Sequence, residues 1–128
     1  MVFYHVPPHR LRDTWPDIRA AVEQVIAKTG ERWLPEDVYC AIQDGKAVLY
    51  VGYEADEPRF VFVNSPEDEW GRKVLRIWLA ASLGGDLQAA IDWVRGHARA
   101  YGFDQVTFAS PRKGWAKYFK PIQTIYEV

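Results

Sequence analysis

The stretch from Lys73 to Gly102 constrains the fold more than any other part of the chain, because it reads as an apolar strand feeding a helix through two adjacent glycines. In KVLRIWLAA, residues 73–81, alternation puts Val74, Arg76, Trp78 and Ala80 on one face and Leu75, Ile77 and Leu79 on the other. Both faces carry large apolar side chains, so the strand is expected at the centre of a sheet covered on both sides. Beyond Gly84-Gly85, residues Leu87, Ile91, Val94, Ala98 and Tyr101 recur about every 3.5 positions. Gly102 stands where a glycine closes a helix. A helix leaving a central strand returns over the sheet by a right-handed crossover.

The remaining elements arrange themselves around that unit. Val2 to Val6 is a short β-rich run halted by Pro7-Pro8, since proline has no donor for a strand ladder. The first helix is expected to be capped by Asp13 or Thr14, with Pro16 in its first turn, Trp15 packed near its start, and Gly30 at its end. Ile18, Val22, Val25 and Ile26 form its buried side. Pro35-Glu36-Asp37 opens a second, short helix with Val38, Tyr39 and Ile42 on one side, stopping at Asp44-Gly45. From Ala47 the period changes: AVLYVGYE and RFVFVNS, joined by the polar turn Ala55 to Pro58, read as an antiparallel hairpin. Asn64 to Gly71 reads as a polar loop.

After the third helix come a fifth strand over Val106 to Ala109, a short helix over Pro111 to Phe119 and a last strand over Ile122 to Val128. The order is β-α-α-β-β-β-α-β-α-β in a single domain spanning residues 1–128. Such an order makes an α/β fold with a mixed, mostly antiparallel central sheet and helices on both faces.

Composition bounds the function classes. Sixteen basic against seventeen acidic residues leave a net charge of -1, so no global field draws the chain to nucleic acid or an anionic membrane. The single Cys40 excludes an internal disulfide and a Cys-based zinc cluster, and it reads as a small buried apolar residue. His5, His9 and His97 lack ligand-like spacing, so no metal is expected. No apolar run approaches the ~18 residues that span a bilayer, and the start MVFYHVPPHR has no secretory pattern. A cytoplasmic setting, or a particle assembled in one, is expected.

This order of elements resembles the GNAT acyltransferase superfamily over nearly the whole chain, Val2 to Val128. It is similar in particular to small phage-encoded GNAT-like proteins, through four stretches in order: Pro35 to Ile42 (PEDVYCAI), Leu75 to Ala80 (LRIWLA), Gly84-Gly85-Asp86, and Arg112 to Lys117 (RKGWAK). In active members the resemblance implies acetyl-CoA bound with its pyrophosphate at the start of the third helix. Among the phage-encoded proteins it implies virion-associated roles without known acetylation.

The superfamily hinge pattern is Gln/Arg-x-x-Gly-x-Gly/Ala, whose glycines let backbone N–H groups close on the pyrophosphate. With Gly84 as the first glycine, Ala81 stands where the polar or basic residue belongs and Asp86 where the small one belongs. Shifted by one, the pattern meets Ser82 and Leu87 instead. A carboxylate at residue 86 is expected to cap the third helix and so occupy amides that a diphosphate would use. It also repels the ligand, by about 3 kcal/mol for like charges ~5 Å apart at an effective dielectric of ~20.

If acetyl-CoA does bind, Ser82, Leu83, Gly84 and Gly85 are the residues expected to hold it. Tyr118 is then the acid for the departing thiolate, at the position where active relatives carry a tyrosine, with Phe119 the alternative alignment. Where many active relatives supply a glutamate base, the fourth strand offers Arg76 and Trp78, which cannot accept a proton at neutral pH. Glu54, beside a turn, is expected to be solvated.

Arg112, Lys113, Lys117 and Lys120, interleaved with Trp115, Tyr118 and Phe119, form the densest positive cluster and the one place where single-stranded nucleic acid could be gripped. Glu67-Asp68-Glu69 beside Trp70 is a candidate protein-docking tip. The expected function is that of a non-catalytic, virion-associated GNAT-like protein in virion or host cytoplasm, acting through contacts with other phage virion proteins or with itself and using no cofactor. The alternatives are an acyl-CoA-dependent N-acyltransferase with a divergent loop, and a nucleic-acid-associated accessory factor.

Overall fold

Pro8 is the first residue of a long helix, its ring already set at the helical φ and its missing N–H harmless in a first turn. In the computed structural model, which describes residues 1–110, 113–123 and 126–128, strand β1 (Val2–Val6) leads straight into this helix, α1 (Pro8–Thr29). The helix therefore begins earlier than the expected cap at Asp13 or Thr14. Thr14 is not a cap, and its hydroxyl donates to the Arg10 carbonyl at 3.1 Å. The reason is burial: Leu11 and Trp15 continue the buried row of Ile18, Ala21 and Val22, and each fully buried large side chain is worth about 1.5–3 kcal/mol. Pro16 is carried in the helix interior, exposed to solvent. Gly30, at φ 68°, closes α1 by donating its N–H to the Ile26 carbonyl.

Helix α2 (Pro35–Gln43) opens with a proline, and the Asp37 carboxylate accepts the Leu34 N–H at 2.7 Å. Its buried row is Pro35, Val38 and Ile42. Cys40 points away from that row and is exposed, which corrects the expectation of a buried cysteine.

Strands β2 (Val48–Glu54) and β3 (Glu57–Glu69) are joined by the two residues Ala55 and Asp56, both at positive φ, a tight turn whose twist suits a hairpin. β3 runs on through the segment expected to be a polar loop. It pairs with β4 (Arg72–Ser82) as far as Glu69 opposite Arg72, with only Trp70 and Gly71, again at positive φ, between them. Arg76 on β4 holds this polar ribbon together, bonding Glu67 at 3.0 Å and Glu69 besides. β2 reaches only to Asn64, so Pro66 lies where β3 has a single partner and its absent donor is tolerated.

The sheet order is β1-β2-β3-β4-β5, antiparallel except for the parallel pair of β4 with β5 (Gln105–Phe108), which are connected by helix α3 (Leu87–Ala100). α1 and α2 cover one face, over Leu49, Val51, Val61, Val63, Leu79 and Ala81. α3 covers the other, over Phe60, Phe62 and the flanking Phe3, Tyr50 and Ile77.

Ile77 and Leu79 were expected on one face, and a bulge separates them. Leu79 pairs with Val63 and Ile77 with Asn64, which leaves Trp78 without a partner and turns Leu79 toward the α1 side. Trp78 joins the same side and meets Trp33 edge to face at 5.6 Å. On α3 the buried residues are Ala90, Val94 and Ala98, while Leu87 is partly exposed. The expected fourth helix is a single 3-10 turn, Lys113–Lys117, with Pro111 and Arg112 outside the described residues. Residues 122–123 and 126–128 form no strand, and Thr124 and Ile125 lie outside the described residues.

Candidate functional site

β4 ends and α3 begins at the two-glycine hinge, and the neighbouring strand β3 dictates its shape. The carbonyl of Arg59 accepts two N–H groups, from Leu83 at 2.8 Å and Gly85 at 3.1 Å. This pins the hinge onto the start of β3. Gly84 adopts φ 99°, a conformation other residues rarely take. Gly85 is needed for a different reason: a Cβ there would lie 2.7 Å from the Arg59 carbonyl oxygen and 3.1 Å from Met1 Sδ. The Ser82 hydroxyl accepts from the Gly84 N–H at 3.3 Å and sits 3.2 Å from the Gly85 carbonyl, to which it donates.

Asp86 is the N-cap of α3, its Oδ1 accepting the Gln88 N–H at 3.0 Å. The amides of Leu83, Gly84, Gly85 and Gln88 are thus all bonded within the protein. A cation at this hinge that the sequence reading missed is Arg59. Its Nη1 would lie 3.5 Å from a Cβ on Gly84, its Nη2 bonds Glu57 at 2.8 Å, and its Nε is buried with no hydrogen-bond partner among the described residues. The signal that could have found it is the hairpin register: Phe60 opposite Ser82 brings residue 59 to the hinge.

On the outer side of β4, pairing with β5 covers only Val74 to Ile77. Among the described residues no strand pairs with Trp78 to Ser82 on that side, so an open β edge leads directly to the hinge and the positive end of the α3 dipole. An extended ligand with amide groups and a terminal anion matches such a track: the edge can pair with amides, and Arg59 with the helix start can meet the anion.

The other predicted residues fall elsewhere. Tyr118, 61% exposed, follows the 3-10 turn and belongs to a ring cluster with Trp115 and Phe119. Trp115 and Phe119 pack edge to face on Phe108, which pairs with Ile77, so this cluster flanks the place where β4 and β5 part. No hydrogen bond or ring contact joins Tyr118 to Ser82–Gly85 among the described residues. Arg95 lies over the Phe119 ring at 5.8 Å. Lys117 and Lys120 are exposed, whereas Arg112 and the Lys113 side chain fall outside what is described, so the basic cluster is only half placed.

Glu54 is exposed, 3.9 Å from the terminal amine of Met1. His5 and His97 flank Tyr50 at ring distances of 5.5 and 4.8 Å. Among the described residues no three His, Cys, Asp or Glu side chains converge as metal ligands, and no helix is long and apolar enough to cross a membrane. Trp70 is fully exposed at the tip of the β3–β4 ribbon, flanked by Glu69.

No protein-family model matches the chain, and no curated protein matches it. Solved structures do. A ribosomal-protein-alanine N-acetyltransferase from Brucella melitensis biovar Abortus 2308 superposes with a TM-score of 0.72 at 10% identity, covering 99% of this chain and 96% of that one. A Bacillus halodurans protein solved as a tetramutant gives 0.75 at 12% identity, covering 100% and 99%. An aminoglycoside acetyltransferase from an uncultured soil metagenomic sample, solved in complex with sisomicin, gives 0.70 at 12% identity, covering 99% and 93%. At such identities the likeness is one of fold, and it extends from end to end: this chain has a GNAT-like fold.

Proposed function

We propose that this protein is an acyl-CoA-dependent N-acyltransferase with a rearranged diphosphate loop. The observation that carries the reading is the open β4 edge from Trp78 to Ser82, which ends at a hinge where Arg59 is set beside Gly84. Ala81 stands where the superfamily pattern has a polar or basic residue, and Arg59 supplies a positive charge from the adjacent strand. Ser82, Leu83, Gly84 and Gly85 would hold the diphosphate together with Arg59. The full-length likeness to acetyltransferases supports the same reading.

In this role the acceptor amine attacks the thioester carbonyl, a C–N bond forms, the C–S bond breaks, and the departing thiolate takes a proton. Tyr118 is the proposed donor, and water receives the proton that the amine loses. Asp86 and the tied amides work against the ligand, so binding is weak. Calorimetry with acetyl-CoA should give a Kd of about 100 µM or tighter, and Arg59→Gln should weaken it about tenfold. Absence of binding at about 1 mM removes the reading.

A second reading has its own observation. A tryptophan left fully exposed at the end of a projecting ribbon, with a hinge at the opposite end of β4 whose amides are bonded internally, suits a GNAT scaffold that works through protein contacts with virion proteins or with itself. That reading needs no acyl carrier. It gains if acetyl-CoA fails to bind while Trp70→Ser abolishes self-association in ultracentrifugation.

A further inference from the structure

β1 is the outermost strand on its side of the sheet: β2 pairs with one flank, and among the described residues no strand pairs with the other. A row of unpaired backbone donors and acceptors is a template for another strand. The segment VFYHV, Val2 to Val6, carries none of the devices that blunt such an edge, having no proline, no lysine, no carboxylate and no bulge in its pairing with β2. Other free flanks differ, since β3 beyond Asn64 carries Pro66 and acidic side chains, and β5 has only four residues. Val2 and Tyr4, each 57% exposed, lie on the α1 side of β1 with the buried Val6, and the Tyr4 ring meets Tyr53 at 5.9 Å. Phe3 and His5 face α3, where Phe3 stacks on Trp93 at 4.4 Å.

On the α1 side this flank opens into a groove of about 640 Å³ between β1, the β2–β3 turn and the first turns of α1. His9 and Arg10 line the end beside Val6, where α1 begins. Asp56 lines the end beside Val2, whose partner Tyr53 leads into the turn. Tyr4 and Tyr53 lie between. The groove is thus basic at one end and acidic at the other, and among the described residues neither Arg10 nor Asp56 is in an ion pair.

This polarity selects what can cover the flank: a strand that runs the opposite way and brings the opposite order of charge. A second copy of β1 does both. Directly opposed residues of an antiparallel pair point to the same face, so a two-fold axis relating two copies of one strand has to pass through a residue. Centred on Tyr4 it pairs all five residues: Val2 opposite Val6, Phe3 opposite His5 and Tyr4 opposite its own copy.

We propose that the unpaired flank of β1 is a dimer interface, two copies joining antiparallel about Tyr4 into one ten-stranded sheet, with Arg10 of each copy set toward Asp56 of the other. The ladder supplies backbone bonds, the four tyrosines form a row across the join, and the two charge pairs fix the register. Such a contact consumes the same flank in both copies, so it closes at two. It lies across the sheet from the β4 track and depends neither on acyl-CoA binding nor on Trp70.

Sedimentation of the full chain between about 1 µM and 1 mM should show monomer and dimer in equilibrium, with a Kd of about 100 µM or tighter. Arg10→Glu should weaken the dimer about tenfold, and adding Asp56→Lys should restore it to within about threefold. Disulfides read the register, in a Cys40→Ser background. Opposed Cα atoms of an antiparallel pair lie about 4.5–5.5 Å apart, within disulfide reach, so Tyr4→Cys should give a covalent dimer on mild oxidation. Val2→Cys, at an equally exposed position, should not, because its two copies stand about 13 Å apart along the strands. A chain that stays monomeric throughout overturns the proposal, in favour of an extended segment of a different protein as the occupant. So does a dimer that Trp70→Ser abolishes, or cross-linking of Val2→Cys as fast as that of Tyr4→Cys. Should Asp56→Lys fail to fold, given φ 63° at that residue, the two cysteine variants decide alone.

Discussion

Gly85 approaches Arg59 so closely that its N–H bonds the arginine carbonyl at 3.1 Å and any Cβ would sit 2.7 Å from that oxygen. The obstruction is backbone, which cannot swing aside like a side chain. Gly85→Ala should therefore destabilise the chain by about 1–3 kcal/mol, measured by urea unfolding. A change within about 0.3 kcal/mol would mean that the hinge is not pinned to β3.

Asp86 can be separated into its cap and its charge. Asparagine caps helices about as well as aspartate, so Asp86→Asn should hold stability within about 0.5 kcal/mol. Removing the negative charge should tighten acetyl-CoA about tenfold. Unchanged affinity in that variant would show that the bonded amides, and not the carboxylate, limit binding.

Pro16 lies inside α1, where it can give no hydrogen bond to the Arg12 carbonyl. Its side is solvent-exposed, so no packing is lost on replacement. Pro16→Ala should raise stability by about 1 kcal/mol or more, read as a higher urea midpoint with unchanged slope.

His97 gives the fold a pH dependence of known sign. Burial, with His5 nearby, holds its imidazole below the ordinary value of 6.5. As pH falls through that value the unfolded chain takes up the proton before the folded one does. Stability attributable to His97 is thus complete above about pH 7.5, declines below 6.5 and levels off beneath the folded-state value. Melting temperatures at pH 7.5 and 5.5 should differ less in His97→Gln than in the unaltered chain.

The strand–glycine–helix unit, the two-sided sheet and the Asp86 cap were readable from the sequence because each rests on local signals: period, turn residues and a side chain within reach of its own helix. Features set by pairing between distant segments were not. Arg59 reaches the hinge only because the hairpin register puts Phe60 opposite Ser82. The β3 extension was hidden because Glu67, Asp68 and Glu69 look like loop residues until Arg76 arrives from β4. α1 begins at Pro8 because Leu11 and Trp15 find a core that the first helical turns alone do not reveal. Asn64 could be seen as a polar residue ending an apolar run, but its burial follows from the bulge at Trp78 and the rings of α3. Cys40 was misjudged because residue type stood in for helix phase.

Beyond Asn64 the β3–β4 ribbon leaves the shelter of β2, and β3 there has a bare flank carrying Pro66, Glu67, Asp68 and Glu69. A naked ribbon crowned by an indole would ordinarily invite copies of itself to zip together into ever-growing stacks. Pro66, which cannot donate, deprives an incoming strand of part of its ladder, and the charged side chains beyond it keep that flank polar. The tip can thus leave its tryptophan in solvent while the ribbon beneath it resists polymerisation.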